Sequence, residues 1–172
     1  AKPEKVVPTT VEFVDIAGLV AGASQGEGLG NKFLAHIREV DAIAHVVRCF
    51  EDPDVVHVAG RVDPASDVAT INTELALADL DTVERAAQRA DKAAKAMDKD
   101  AIRWRESLKR MRAWLDEGKP VRAMALDEFE RERLRELSLL TAKPVMYVAN
   151  VDEGGFTDNP RLAALEKLAA SE

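Results

Sequence analysis

The sequence predicts an α/β fold, a parallel sheet interrupted by an antiparallel helical hairpin. Residues 42–50 and 144–150 are near-continuous apolar runs, the pattern of strands buried on both faces of a parallel sheet. Residues 11–50 accommodate a strand, a short helix and a second strand, the spacing of a βαβ unit with a right-handed crossover. Between the two apolar runs, residues 67–98 contain neither glycine nor proline, and their apolar residues recur in steps of four and three, a heptad seam.

The elements follow in chain order. Val11, Phe13 and Ile16, set among smaller or polar residues, predict a strand over 11–17. Glycines at 18, 22, 26, 28 and 30 then make a loop whose backbone N–H groups can approach a ligand closely. Leu29–Glu39 reads as a helix, and Asp41 precedes the strand Ala42–Phe50. The first hairpin arm carries Ala76, Leu80, Val83, Ala87, Ala90, Ala94 and Met97. After a polar tip, Asp98-Lys99-Asp100, the second arm carries Ala101, Trp104, Leu108, Met111 and Leu115. Small alanines facing bulky partners permit a close interhelical approach, and at 1.5 Å rise per residue the first arm reaches about 45 Å. Gly118-Lys119-Pro120 ends the second arm. Asp127 reads as an N-cap with Glu130 completing a capping box, opening a helix that takes Phe129, Leu134, Leu137 and Leu140 back to the sheet. A third strand, Pro144–Asn150, and a helix after Pro160 with Leu162, Leu165 and Leu168 inward complete the chain.

With 172 residues, 47% hydrophobic and 32% charged, the chain suits one domain with an appendage. The single cysteine, Cys49, excludes an internal disulfide framework and fits a reducing compartment. No apolar run approaches the ~20 residues of a membrane span, and the opening AKPEKVVP carries no signal-peptide core. A cytoplasmic location with no membrane partner is expected.

The net charge of −7 is unevenly spread: residues 85–112 hold ten basic and four acidic side chains, +6, against −13 elsewhere. A basic projection on an acidic body fits a polyanionic partner such as RNA; it equally fits a solvated helical face. Asp15 delivered by a strand into a glycine loop before a helix fits a metal-side carboxylate with a γ-phosphate contact. The same spacing fits an ordinary strand-to-helix loop with a solvated aspartate. His36 on a helix and His45 inside a strand read as structural, and His57 receives no role.

DIAGLVAGASQGEGLGNKFLAHIREVDAIAHVVRCFE at Asp15–Glu51 resembles the third signature motif and switch II of the Obg-related P-loop NTPases. Together with INTELALADLDTVE at Ile71–Glu84 and LLTAKPVMYVANVDE at Leu139–Glu153, it is similar to the YchF subfamily, the Obg-like ATPases. The similarity runs along essentially the whole chain. It implies a partial P-loop NTPase (Ras-like) sheet, with residues 1–66 and 119–172 forming part of the nucleotide-binding domain and 67–118 a coiled-coil insertion. It implies an ATP- or GTP-hydrolysing parent that uses Mg2+ and works with the ribosome.

Residue by residue, the resemblance makes Asp15 the carboxylate that reaches Mg2+ through water, and Gly18 an N–H donor to the γ-phosphate. Leu19 stands where many related GTPases place a water-orienting glutamine, which implies a slow hydrolase of the hydrophobic-substituted class. Asn150-Val151-Asp152-Glu153 occupies the place of the GTPase N-K-x-D: Val151 replaces the lysine over the base and Glu153 the guanine-reading aspartate. In the resembled family this pattern goes with ATP, although a glutamate can still accept from guanine. Asp152 is expected to face solvent. Lys92, Lys95, Arg103 and Lys109 are the expected RNA or ribosome contacts. A ribosome-binding helical module without nucleotide activity, and a GTPase proper, are the alternatives.

A phosphate-binding loop reads G-x-x-x-x-G-K-[ST]. The one Gly-Lys here, Gly118-Lys119, is followed by Pro120 and has Ala113 in place of the first glycine. The family's switch I threonine, final base-contacting motif and C-terminal TGS domain are likewise missing. The expectation is therefore an internal fragment that is inactive by itself, with an unpaired apolar sheet edge that invites a non-native dimer.

Overall fold

The computed structural model describes residues 9–16, 29–54, 57 and 60–171. Its largest element is the hairpin. Helix α2, Pro64–Ala94, is nucleated by Asp63, whose side chain accepts from Ser66 N at 3.2 Å, with Pro64 pre-set in the first turn. A turn follows in which Met97 adopts a left-handed φ of 62°. Asp98 caps α3, Lys99–Asp116, by accepting from Asp100 N at 3.1 Å.

The arms are antiparallel, since Arg112 pairs with Glu84 at 3.0 Å and Arg105 lies 3.9 Å from Asp91, nearer the tip. Between them Ala76, Val83, Ala86 and Ala90 pack on Trp104, Leu108, Met111 and Leu115. The seam ends earlier than its periodicity suggests: Met97 is 81% exposed at the turn, because α2 stops at Ala94 and the left-handed residue turns the chain away from the interface.

Helix α3 closes through Gly118, at φ 73°: Gly118 N donates to Leu115 O and Lys119 N to Trp114 O, the paired bonds of a Schellman cap. Trp114 Nε1 bonds Pro120 O at 2.9 Å and fixes the exit. A 3-10 turn, Val121–Ala123, leads to α4, Glu128–Leu134. The capping box at Asp127 and Glu130 is present with both bonds made. The helix is shorter than expected and gives way to a 3-10 turn, Arg135–Leu137, followed by Ser138 at φ 48°. Phe129, Leu134 and Leu137 consequently pack on the hairpin core, and only Leu140 reaches the cluster beside the sheet.

Strands β1, Ile43–Arg48, and β2, Val145–Asn150, pair in parallel from Ile43↔Val145 to Arg48↔Asn150. Neither is buried on both faces. Val47, Tyr147 and Ala149 point toward Val68 of α2 and toward Leu165 and Leu168 of α5, Pro160–Ser171. On the opposite face Val46 and Met146 are 62% and 55% exposed. A continuous apolar run does not reveal how many faces find a cover, and both flanking helices lie on the same side.

The strand expected over 11–17 is corrected as well. Residues 9–16 are irregular, Val11 and Phe13 are exposed, and the described sheet has two strands. Alternation becomes a strand only when a neighbour supplies the hydrogen-bond ladder, and 9–16 pairs with neither β1 nor β2. Ala17 lies outside the described residues.

Two polar joints tie the parts together. Asp79 of α2, fully buried, accepts from Leu140 N at 2.9 Å, Thr141 N at 2.8 Å and Thr141 Oγ1 at 2.7 Å. Lys143 Nζ donates to Arg38 O at 3.2 Å and Val40 O at 2.5 Å, capping the end of α1, Leu29–Glu39, from the start of β2.

Candidate functional site

The C-terminal ends of parallel strands are where α/β sheets present loops to ligands. Here they bring together residues 48–52, 150–155 and the start of α5. Cys49 N donates to Asn150 O at 2.7 Å, extending the pairing one step past β1. Asn150 is exposed beside Arg48 in register. The Arg48 guanidinium lies 4.7 Å over the Phe50 ring and donates to Phe50 O and Asp52 O. Val151 is half-buried against the cluster of Val47, Cys49 and Leu165. Its side chain is thus shared with the core, unlike a lysine stem laid over a base.

Asp152, Glu153 and Gly154 are exposed, and Gly155 N closes a turn onto Asp152 O at 3.1 Å. Gly155 is buried in a tight spot: a Cβ there would displace the exposed Asp152 carboxylate, 2.5 Å away, and would crowd Val151 Cβ at 3.1 Å and Asn159 Nδ2 at 3.3 Å. Asn159 caps α5 through Oδ1, which accepts from Arg161 N at 3.0 Å and Leu162 N at 3.2 Å. Its Nδ2 reaches back to Cys49 O at 2.9 Å and Gly155 O at 3.1 Å.

Behind this loop lies a group that sequence reasoning missed. His57 Nε2 is 3.0 Å from Asp67 Oδ2, with His57 only 16% exposed. Arg161 bridges Glu51 and also donates to Val62 O at 3.4 Å. Burial pushes the Cys49 thiol up; Arg161 opposes that shift and Asp67 adds to it. A thiol so placed stays protonated and serves packing rather than nucleophilic chemistry. The Asn159-Pro160 pair was the available sequence signal for the α5 cap, but nothing local marked its reach to Cys49, 110 residues away.

The sequence-derived residues fare unequally. Gly18 and Leu19 lie outside the described residues. Asp15 is exposed in an irregular stretch whose next residue, Ile16, packs with the cluster holding Leu140 and taking Ile43, at the N-terminal end of the strands. Asn150 stands at the opposite end, so neighbouring strands do not carry the two residues to a common rim. Among the described residues no group of three or more His, Cys, Asp or Glu side chains gathers to hold a metal. A lone exposed carboxylate suits Mg2+ held chiefly by phosphates and water. His36 is exposed on α1, and His45 lies half-buried, its ring 5.7 Å from Tyr147.

On the hairpin, Lys92, Lys95, Arg103 and Lys109 are all exposed, but two are engaged. Arg103 binds Asp127 at 2.6 Å and sits 4.3 Å over Phe129; Lys109 binds Glu106 at 3.2 Å. The contacts with Arg103 and Lys109 hold the Asp127 and Glu106 carboxyls below the usual carboxylate range, secondary to the Glu130 N–H for Asp127 and to Arg105 for Glu106. Lys92 and Lys95 have no ion pair among the described residues. Among those residues, no helix is long and apolar enough to cross a membrane.

A family profile described as "50S ribosome-binding GTPase" matches residues 2–150. The "Ribosome-binding ATPase YchF" of Haemophilus influenzae is 57% identical over 171 residues, covering 99% of this chain and 47% of that protein. Its Bacillus subtilis counterpart is 50% identical over 173 residues, again with 47% of its length covered. The solved structure of the Schizosaccharomyces pombe YchF GTPase superposes with a TM-score of 0.75 at 37% identity, covering 91% of this chain and 44% of that one. The chain thus spans about half the length of the curated relatives it matches.

Proposed function

The chain belongs to the 50S ribosome-binding GTPase family and is homologous to its YchF members; from that premise we propose that it is part of a nucleoside-triphosphate hydrolase that prefers ATP and associates with the ribosome. The observation that carries the reading is Asn150-Val151-Asp152-Glu153 at the C-terminal end of β2, where a sheet of this class reads a base. Asn150 and Glu153 are the base-reading residues. Val151 contributes apolar surface from the edge of the core rather than a covering stem. By the resemblance, Asp15, Gly18 and Leu19 supply the metal-side carboxylate, a phosphate contact and an apolar neighbour to the attacking water in the full-length protein. Here Asp15 stands at the opposite end of the strands from Asn150, so the geometry supports the base-reading half of the site alone. Mg2+ supplies charge neutralisation on the phosphates when bound.

Nucleotide competition on the full-length protein tests the base preference. ATP displacing a labelled nucleotide at lower concentration than GTP supports the reading; the reverse order favours a GTPase proper. Relatives named ATPase alongside a family profile and a solved structure named GTPase make this the deciding measurement. The 172-residue polypeptide contains no G-x-x-x-x-G-K-[ST] sequence, so we expect weak ATP binding or none in calorimetric titration of it alone. Micromolar affinity overturns that expectation.

The basic hairpin favours a second role, contact with ribosomal RNA. Lys92 and Lys95, without carboxylate partners among the described residues, are placed to lead it. Their replacement by glutamine reduces co-sedimentation with ribosomes more than Arg103→Gln and Lys109→Gln, and binding weakens steeply with salt. Equal pelleting of all variants removes the hairpin from the interface.

A further inference from the structure

We propose that Asn159 is a positioning residue for the base-reading loop and thereby sets the discrimination between adenine and guanine; the proposal rests on the nucleotide reading above. The loop leaves β2 at Asn150, which is anchored by the Cys49 N–H, and turns back on itself through Gly155 N to Asp152 O. What fixes the far side of that turn is the Asn159 carboxamide. Its Nδ2 divides its two protons between Cys49 O at 2.9 Å and Gly155 O at 3.1 Å, one carbonyl on each flank of the loop. Its Oδ1 takes both free N–H groups of the first turn of α5, from Arg161 and Leu162. All four hydrogen-bonding capacities of the amide are therefore used. The exit of β1, the end of the loop and the start of a helix are locked to one planar group.

Gly155 completes the device. A Cβ at Gly155 would meet Asp152 Oδ1 at 2.5 Å, Val151 Cβ at 3.1 Å and Asn159 Nδ2 at 3.3 Å, so a side chain there pushes on both the turn and the Asn159 amide. Asp152 and Glu153 are both exposed, and Asp152 keeps one carboxylate oxygen beside Gly155, which leaves Glu153 as the carboxylate of the pair not laid along the turn. A carboxylate reads guanine by accepting from two base-edge N–H groups at once, a contact that depends on placement to within a fraction of an ångström. A turn that holds Glu153 off that placement disfavours guanine, so whatever fixes the turn fixes the choice of base.

Asn159→Asp isolates this role. The aspartate keeps the oxygen that caps α5, itself a favoured N-cap, but cannot donate to Cys49 O or Gly155 O. In the full-length protein, ATP and GTP affinities are measured by displacement of a fluorescent nucleotide, with thermal midpoints alongside. The expected result is the ATP-to-GTP affinity ratio lowered by about tenfold, the loss of one to two net hydrogen bonds of ordering. The midpoint is lowered with it, since a carboxylate oxygen then faces the Cys49 and Gly155 carbonyls. Gly155→Ala, which pushes the same turn from the other side and leaves the α5 cap intact, moves the ratio in the same direction. An unchanged ratio in both variants, whether or not the midpoint falls, reduces Asn159 to a helix cap and overturns the proposal. Wild-type protein that binds neither nucleotide overturns the nucleotide reading itself and this inference with it.

Discussion

Replacing Asp79 by alanine tests the joint between the hairpin and the sheet. The substitution strips the partner from two buried backbone N–H groups, those of Leu140 and Thr141, while the Thr141 hydroxyl also serves as acceptor for Val121 N at 3.2 Å. At roughly 1–3 kcal/mol for each buried donor left unpaired, and with relief from burying a charge offsetting part of it, the net loss is about 2–4 kcal/mol. For a urea m-value of about 2 kcal/mol/M, the midpoint falls by about 1–2 M. Asp79→Asn keeps one acceptor but aims an amide N–H at a donor, so it falls between.

Acidity adds a second, independent readout. Burial pushes the Asp79 carboxyl above the ordinary aspartate value; its three donors and Arg38 pull the other way, and burial wins. The folded state then holds the proton more tightly than the unfolded one. This contribution is fully present below about 3.9, the ordinary value, and is lost as pH rises through the raised folded value. Urea midpoints followed by far-UV circular dichroism should show the gap between wild type and Asp79→Ala widening from neutral pH toward about pH 4. A midpoint shift at neutral pH below about 0.5 M, or a gap that narrows on acidification, refutes the reasoning.

Three further outcomes follow from the same structure. Leu108→Ala removes a fully buried side chain from between the arms and lowers stability by about 2–5 kcal/mol in the same urea assay. Gly118→Ala costs about 1–2 kcal/mol, all of it from the left-handed backbone, because nothing lies within 4 Å of the added Cβ; Gly118→Asn recovers much of that loss. Met146→Ser on the exposed face of the sheet leaves the thermal midpoint nearly unchanged while lowering binding of an apolar dye, since Met146 is 55% exposed; a large drop in midpoint would mean the face is covered in solution.

The hairpin was legible because its signal is long: residues 76–115 repeat small and bulky apolar side chains at helical spacing, and the two arms bury that stripe against each other, with Val121, Leu139 and α4 side chains closing its edge. The capping box at Asp127 and Glu130 and the Gly118 stop are short-range chemistry and could likewise be read directly. The sheet was harder. VMYVAN reads as fully buried, yet β2 buries alternate residues only, because burial is decided by where α2 and α5 settle. Residues 11–16 alternate correctly and remain irregular, because a ladder partner is not a property of the segment itself. At the candidate site Asn150 and Glu153 were found by motif. Asn159 was not, since its role depends on a carbonyl 110 residues away. His57 escaped for the same kind of reason, its partner Asp67 lying on a helix that periodicity assigns wholly to packing.

The docking of α4 on α3 has a mechanical consequence. Arg110 to Glu130 and Arg103 to Asp127 fasten the second arm along its length to a short helix rooted beside the sheet. Only Lys99–Ile102 of α3, with the turn and the facing end of α2, overhangs that brace: four residues, or about 6 Å at 1.5 Å each. The projection therefore behaves as a stubby cantilever on a stiff bracket rather than a swinging boom. Tilting its tip sideways requires first peeling two arginines off their carboxylates.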